Sequence, residues 1–437
     1  MFNVLSNRTF RHLFVAQLVA LVGTGLATVA LGLLAWQLAG NDAGLVLGTA
    51  LGIKMVAYVT LSPLAAALAE RLPRRAFLVA LDVMRAVVVA LLPFVSEVWQ
   101  VYALIFLLQA ASAGFSPAFQ ALVPDVVPEE KDYTGALSLL RLTEDMEQVA
   151  SPLLAAGLLT MVSFPVLFVG TVAGFAASAL LILATALPNR APAGAGLFWQ
   201  SATKGIRIYL ATPRLRGLMA MEMAVAAAGA MVYVNTVVLV QGQFHLGDSQ
   251  VALAFGAFGA GSMLAAVLIS QLLVHFADRR VMLGGAAFMV AGVGFTPLAV
   301  GLAGLLGLWA LIGFGFALTQ IPIGRIISRS AREQDRAAVF AAQFALSHAC
   351  WLVTYPLAGW LGASFGLGAA AGSLALLGGS ALLAVHALWP AGEVEAVAHD
   401  HPDLAPDHPH LAGDTGGHIH PLIIDELHRR WPKTGTI

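Results

Sequence analysis

The sequence predicts an all-α membrane protein, with twelve transmembrane helices in two six-helix bundles. Three observations carry this. Of the 437 residues, 59% are hydrophobic and 11% are charged, whereas a soluble domain is about a quarter charged. Crossing a bilayer takes about 20 mostly apolar residues, and the uncharged stretches 148–189, 281–324 and 337–390 each hold two crossings joined by a turn. Finally, the basic residues gather in every second connecting segment.

In chain order the spans fall at 11–38, 44–68, 76–95, 98–119, 134–160, 165–188, 214–240, 250–275, 281–301, 303–324, 337–362 and 367–389. The first apolar run, His12 to Asn41, is too long for the h-region of a signal peptide and reads as a retained span. Its Gln17, Thr24 and Thr28 form a polar stripe able to line a cavity. The third span carries Asp82 and Arg85, three residues apart and placed to pair. A polar break, 190–213, follows the sixth span and separates an N-terminal bundle (1–189) from a C-terminal one (214–390). Within it "FWQSATKGIRIYL" (Phe198 to Leu210) has the basic and aromatic sides of an amphipathic helix on a membrane surface. A polar tail, 391–437, closes the chain.

Orientation follows because Lys and Arg are retained on the cytoplasmic side. With the amino terminus inside, 20 of the 23 basic residues fall in cytoplasmic segments. Lys54, Arg85 and Arg141 lie within spans, and no outward loop holds any. An even number of spans places the tail inside as well. The net charge of -1 gives no reason to expect a nucleic-acid partner. A single cysteine, Cys350, supports neither a disulfide framework nor a thiolate metal cluster.

The two bundles share a faint repeat. "LAERLPRR" (Leu68 to Arg75) stands between spans two and three, and "FADRR" (Phe276 to Arg280) stands at the equivalent place between spans eight and nine. Acids beside arginines here, namely Glu70, Arg71, Arg74 and Arg75, then Asp278 and Arg279, can latch one arrangement of a moving bundle. At these residues the chain resembles the major facilitator superfamily of secondary transporters, whose loop signature is Gly-x-Leu-Ala-Asp-Arg-x-Gly-Arg-Arg. Leu68, Ala69, Arg71, Arg74 and Arg75 match it; Ala66, Glu70 and Pro73 depart from it. The resemblance spans residues 8 to about 390 and implies a transporter rather than an enzyme. It further implies two bundles that rock about a midplane site by alternating access.

Ionisable groups at bilayer depth are costly and face the protein interior. In "RLTEDMEQVASP" (Arg141 to Pro152), helical periodicity puts Arg141, Glu144, Asp145, Gln148 and Pro152 on one stripe with Glu147 at its edge. Three carboxylates that close cannot all stay ionised in a poor dielectric, so one holds a proton, as a proton-coupled cation carrier requires. A salt-bridge network with Arg141 and Lys54 is the alternative. In "QFALSHACWLVTYPLAGW" (Gln343 to Trp360), Gln343, Ser347, Cys350 and Thr354 form a polar stripe beside His348, a candidate proton relay or transient ligand. Glu222, near Met219 and Met223 on span seven, is a candidate cavity acid. His245 and Asp248 offer an exit site or a plain solvated loop.

The tail reads as unable to build a packed core. His399 and His401, His408 and His410, and His418 and His420 each place two imidazoles one residue apart, so each pair can grip one divalent ion, with Asp400, Asp403, Asp407 and Asp414 supplying oxygens. After it, Ile423, Ile424, Leu427 and Trp431 suggest a short amphipathic helix docked on the cytoplasmic face. The eleventh span, the acidic fifth span and this tail together resemble the nickel-resistance branch of the superfamily. That resemblance implies export of nickel, and of cobalt in some members. The expectation is a monomeric exporter of divalent metal ions in the bacterial inner membrane, exchanging substrate for protons and needing no cofactor. The alternative is a proton-coupled exporter of an organic molecule such as a drug or siderophore, which calls for a roomy aromatic cavity. A metal sensor is disfavoured because no soluble signalling domain accompanies the spans.

Overall fold

The computed structural model describes residues 2–69, 72–120, 122–127, 129, 136, 139–140, 143, 150–185, 187, 198–390, 396–399, 418–421, 423–424, 428 and 431. In the spans, helices α1 to α4 run Arg8–Ala39, Ala43–Ala69, Arg74–Leu91 and Val98–Gln120. The described part of α5 covers 150–158. Helix α6 runs Pro165–Leu183, and a connecting helix runs Phe198–Ala211. Helices α7 to α12 run Pro213–Val237, Asp248–His275, Asp278–Phe295, Gly301–Gln320, Glu333–Phe365 and Leu367–Leu388. Helices dominate because hydrocarbon offers no partner for peptide groups, so each span must bond its own backbone. Ten apolar stretches among the described residues are long enough to cross a membrane, and the first holds both α1 and α2.

Local chemistry sets the helix ends. Asn7 caps α1 by accepting from the Phe10 amide at 3.1 Å while its own amide donates to the Val126 carbonyl at 3.1 Å. Proline opens α6 and α7 at the first turn, where no amide donor is needed. Helix α7 continues into a π-helical turn, Val238–Gln243, whose Gln241 donates to Asp248 at the start of α8 at 2.6 Å.

The helices pack in two sets. Helix α1 lies against α6, α3 against α6, and α2 against α4; α8 lies against α10, α9 against α10, and α12 against α7. The sets meet where α2 crosses α11. There a β-carbon on Gly48 would stand 2.4 Å from the Tyr355 carbonyl oxygen, and one on Gly359 would stand 2.3 Å from that of Gly44. The two backbones touch because neither helix carries a side chain at the crossing. Asn235 of α7 joins this junction by donating to the Ala358 carbonyl at 3.2 Å. The junction lies at the end of the molecule opposite the one where the basic residues gather, hereafter the basic end.

The tail corrects the sequence expectation. Strand β1, Ala396–His399, pairs antiparallel with β2, His418–Pro421. Beyond them Ile424 is 1% exposed and joins a buried cluster with Ile208, Tyr209, Leu215, Ile326 and Trp389 at the basic end of the second set. His428 is buried too, and Trp431 packs on the same cluster, 5.9 Å from the Arg214 guanidinium. The expected docking is present, but Ile423, Ile424, His428 and Trp431 are not helical. Apolar and aromatic neighbours supplied by other helices make a core that the tail's own composition does not contain.

Replacing Gly48 by Val should disfavour the arrangement in which α2 and α11 touch, by about 1–3 kcal/mol of overpacking. Spin labels on the ends of α2 and α11 remote from the basic end should show a longer distance distribution. Ile424→Ala should cost about 2 kcal/mol or more of thermal stability, the usual penalty for truncating a buried isoleucine, whereas a freely solvated tail would show no change.

Candidate functional site

A cavity of 360 Å³ lies between the two sets of helices, within the range of about 300–1,000 Å³ typical of sites for small organic ligands. From the first set α1 contributes Thr24 and Thr28, α2 Leu51 and Lys54, α4 Gln109, and α5 Pro152. The second set supplies rings: Tyr233 from α7, Phe255 and Phe258 from α8, Phe316 from α10, and His348, Trp351 and Tyr355 from α11. These rings touch one another in sequence. Tyr233 stands 6.3 Å from Phe255, 5.9 Å from Phe258 and 6.1 Å from Trp351 between centroids, Trp351 4.8 Å from Tyr355, and Phe258 5.5 Å from Phe316. Contact at these separations is favourable by about 0.5–1.5 kcal/mol per pair, so the wall is stiff before any ligand arrives.

His348 lies mid-span, where the sequence places it, and lines the cavity. Its Nδ1 lies 2.7 Å from the Phe344 carbonyl oxygen, so this nitrogen carries the proton and Nε2 is an acceptor without a hydrogen-bond partner among the described residues. The ring lies 5.8 Å from Tyr58 and 3.9 Å from Phe344, and Lys54 Nζ lies 5.9 Å from the Tyr58 centroid. The polar stripe read on this helix does not line the cavity as a unit. Cys350 and Thr354 are buried, Ser347 bonds the Phe344 carbonyl, and the face turned to the cavity is His348, Trp351 and Tyr355. Thr24 and Thr28 line it as expected, while Gln17 is not among the lining residues.

The acidic candidates divide. Arg141, Glu144, Asp145 and Glu147 lie outside the described residues. Glu222 does not face the cavity, contrary to expectation. It is 3% exposed inside the second set. Gln343 of α11 donates to its Oε1 at 2.9 Å, and Gln320 of α10 donates to both oxygens at 3.3 and 3.2 Å. Packing of α7 against α10, α11 and α12 turned this side of the helix inward, which spacing along a uniformly apolar helix did not reveal. Asp82 and Arg85 pair as expected; Ser178 donates to Asp82 Oδ2 at 2.7 Å, and Phe115 and Phe175 sandwich the guanidinium at 4.0 and 4.5 Å. Among the described lining residues no carboxylate appears.

The loop charges latch each set to itself. Arg74, at the start of α3, bonds Asp125 in the short helix Val123–Val126 at 2.5 Å. Asp278, at the start of α9, accepts from Arg329 at 2.5 Å and forms a looser ion pair with Arg325 at 3.5 Å, both in the short helix Ile323–Ser330. Arg75 donates to the Leu183 carbonyl, and Arg279 to that of Trp389 at 2.8 Å. Glu70 and Arg71 lie outside the described residues. Asp248 accepts from Gln241 rather than forming a site with the exposed His245. In the tail the strand register sets His399 opposite His418, with His420 opposite Val397; His401, His408 and His410 lie outside the described residues.

Sequence reasoning missed Tyr233, Phe255, Phe258 and Phe316 because they come from three helices at no common spacing. It also missed Tyr209 and Gln320, whose partners lie far along the chain.

A family model described as the Major Facilitator Superfamily matches residues 13–238 and 218–411. The uncharacterized MFS-type transporter YfiS of Bacillus subtilis (strain 168) is 25% identical over 309 residues, 65% of this chain and 70% of that protein. Among solved structures, a point mutant of the nucleoside transporter NupG superposes with a TM-score of 0.69 at 12% identity, covering 87% of this chain and 100% of that one. A D-xylose–proton symporter superposes at 0.64 with 14% identity, covering 88% and 98%. Both likenesses describe the fold.

Exchanging the charges of the first latch, Arg74→Asp with Asp125→Arg, should recover stability lost in either single change. The coupling in a thermal double-mutant cycle should be about 0.5–1 kcal/mol, as befits a partly exposed pair.

Proposed function

This chain belongs to the major facilitator superfamily of secondary transporters, and we propose that it exports an amphipathic organic molecule with an aromatic or other flat apolar surface in exchange for protons. The observation that carries this is the continuous wall of rings from Tyr233 to Phe316, in a cavity with the volume of a small organic ligand. Flat apolar surface removed from water onto such a wall contributes about 25 cal/mol per Å², while Thr24, Thr28, Gln109 and the free nitrogen of His348 offer a few oriented polar contacts. In this reading the protein sits in the bacterial inner membrane with both termini in the cytoplasm, as the positions of its basic residues support. The coupling proton is carried by carboxylates within the spans. Glu222, held by amides where Asp82 is held by Arg85, is one of these, and Glu144, Asp145 and Glu147, next to Arg141, are others that the sequence offers.

A second reading, export of a divalent ion such as nickel or cobalt, retains one specific support. The register of β1 and β2 sets His399 opposite His418, with His420 opposite Val397, so members of two His-x-His pairs share one ribbon, although among the described residues no three metal-ligating groups gather. Nitrogen donors of this kind suit nickel, cobalt, zinc or copper(II). In that reading the tail gathers ions for Glu144, Asp145 and Glu147 of the predicted fifth span and for His348.

Growth of a sensitive bacterial host separates the two. With the intact gene, protection against lipophilic dyes and aromatic toxicants is expected, and Trp351→Ala should raise the concentration needed for half-maximal dye efflux about tenfold, the loss of one well-packed ring. Protection confined to graded nickel, cobalt or zinc, abolished by Glu144→Gln and weakened by ending the chain after Gly392, would reject the organic substrate in favour of the metal.

A further inference from the structure

Glu222 is buried in the second set of helices with amide partners in place of a cation. An ionised carboxylate only accepts hydrogen bonds, so the Gln343 amide must turn its NH₂ toward Glu222 and its oxygen away. That oxygen accepts from the Tyr209 hydroxyl. Tyr209 is fully buried, and burial, then the charge of Glu222, push its phenol well above the ordinary range, so it remains a donor. A polar chain therefore runs from Glu222 on α7 through Gln343 on α11 to Tyr209 on the connecting helix, each link fixing the polarity of the next.

The connecting helix joins the two sets of spans, and it is fastened to α11 at three places. Lys204 pairs with Asp335 at 2.6 Å, and Gly205 lies so close to α11 that a β-carbon there would stand 2.1 Å from the Ala338 carbonyl oxygen. Tyr209 on Gln343 is the third. A protonated Glu222 becomes a donor and needs an acceptor. The amide oxygen of Gln343 serves once the amide has rotated half a turn. Rotation reverses the link, with the amide NH₂ donating to the Tyr209 oxygen while the Tyr209 O–H is left without its acceptor in a buried place, so the link is weakened. Gln320 of α10, with one nitrogen spread over both carboxylate oxygens, is the competing acceptor, and its rotation would leave the connecting helix untouched.

We infer that rotation of the Gln343 amide transmits the protonation state of Glu222 to Tyr209, so that the connecting helix is fastened to α11 when Glu222 is ionised and loosened when it is protonated. This rests on the reading that Glu222 carries a coupling proton. The titratable groups facing Glu222 are the Tyr209 phenol and the Cys350 thiol of α11. Among the charged groups of α7 and of the elements packed against it, these are bonded elsewhere. Asp278 holds Arg325 and Arg329, Arg214 holds Ser330 and the Arg329 carbonyl, His386 bonds the Leu382 carbonyl, and Asp248 holds Gln241. Lys54 of α2 lies at the cavity beside Tyr58.

The test is amide hydrogen exchange over 198–211 in the full-length protein in lipid nanodiscs, at mildly acidic and mildly alkaline pH, corrected for intrinsic exchange. In the wild type, exchange should rise roughly fivefold on acidification, the factor that one hydrogen bond of ~1 kcal/mol represents. Glu222→Gln, which cannot ionise, should lose the pH response. Tyr209→Phe, which keeps the ring packing and so guards against a folding defect, should exchange fast at both values, and Gln320→Ala should respond as the wild type does. A wild type without response, or a Tyr209→Phe or Glu222→Gln protein that responds like the wild type, overturns the inference. Substrate uptake into vesicles driven by a pH gradient tests the parent reading separately. If Glu222→Gln remains driven by the gradient, the proton has been assigned to the wrong group, whatever the connecting helix does.

Discussion

Hydrocarbon provides no hydrogen-bond partner, and every polar group carried into it must find one within the protein. This constraint makes the spans helical, and it also explains where the buried charges lie. Asp82 is held by Arg85 and Ser178, and the guanidinium is covered by Phe115 and Phe175. Glu222 has amides instead. The difference has consequences. A carboxylate beside a guanidinium is stabilised as an anion, whereas one held by neutral donors changes charge without leaving an opposite charge exposed. The second arrangement suits a group that must gain and lose a proton within a transport cycle.

The two sets of helices carry one latch in opposite polarity. Arg74 reaches Asp125, and Asp278 reaches Arg329; both members are displaced by the same 204 residues (74 to 278, 125 to 329). A basic helix start holding an acid in one half has become an acidic helix start holding bases in the other. Each latch fixes a helix to the next connection of its own set. The junction between sets is of another kind, a crossing of bare backbone at Gly48 and Gly359 with Asn235 bonded across it. Contacts of that type have shallow, short-ranged attraction and separate without uncovering charge, which is what rocking requires.

The same division places the chemistry. Aromatic rings of the second set form one wall of the cavity, and the other is a mostly aliphatic surface of the first set in which Thr24, Thr28, Lys54 and Gln109 are set. The basic end carries the parts that join the sets, with the connecting helix on α11 and the tail residues Ile424 and Trp431 covering its buried face. Helix α11 runs through both regions, with Tyr355 and His348 on the cavity and Gln343 between Glu222 and the connecting helix.

Much of this was legible in the chain itself. Hydrophobicity and the retention of basic residues act along one dimension, so the spans, their alternation, the connecting helix at Phe198 and the pairing of Asp82 with Arg85 could be read directly. The rotation of each helix about its own axis could not. A helix apolar on all sides gives no periodic sign of which face meets its neighbours, and those neighbours set the rotation. Only the tertiary structure therefore turned Glu222 toward Gln343 instead of the cavity, gathered rings from α7, α8, α10 and α11 into one wall, and gave Ile424 of a polar tail a core built by other helices.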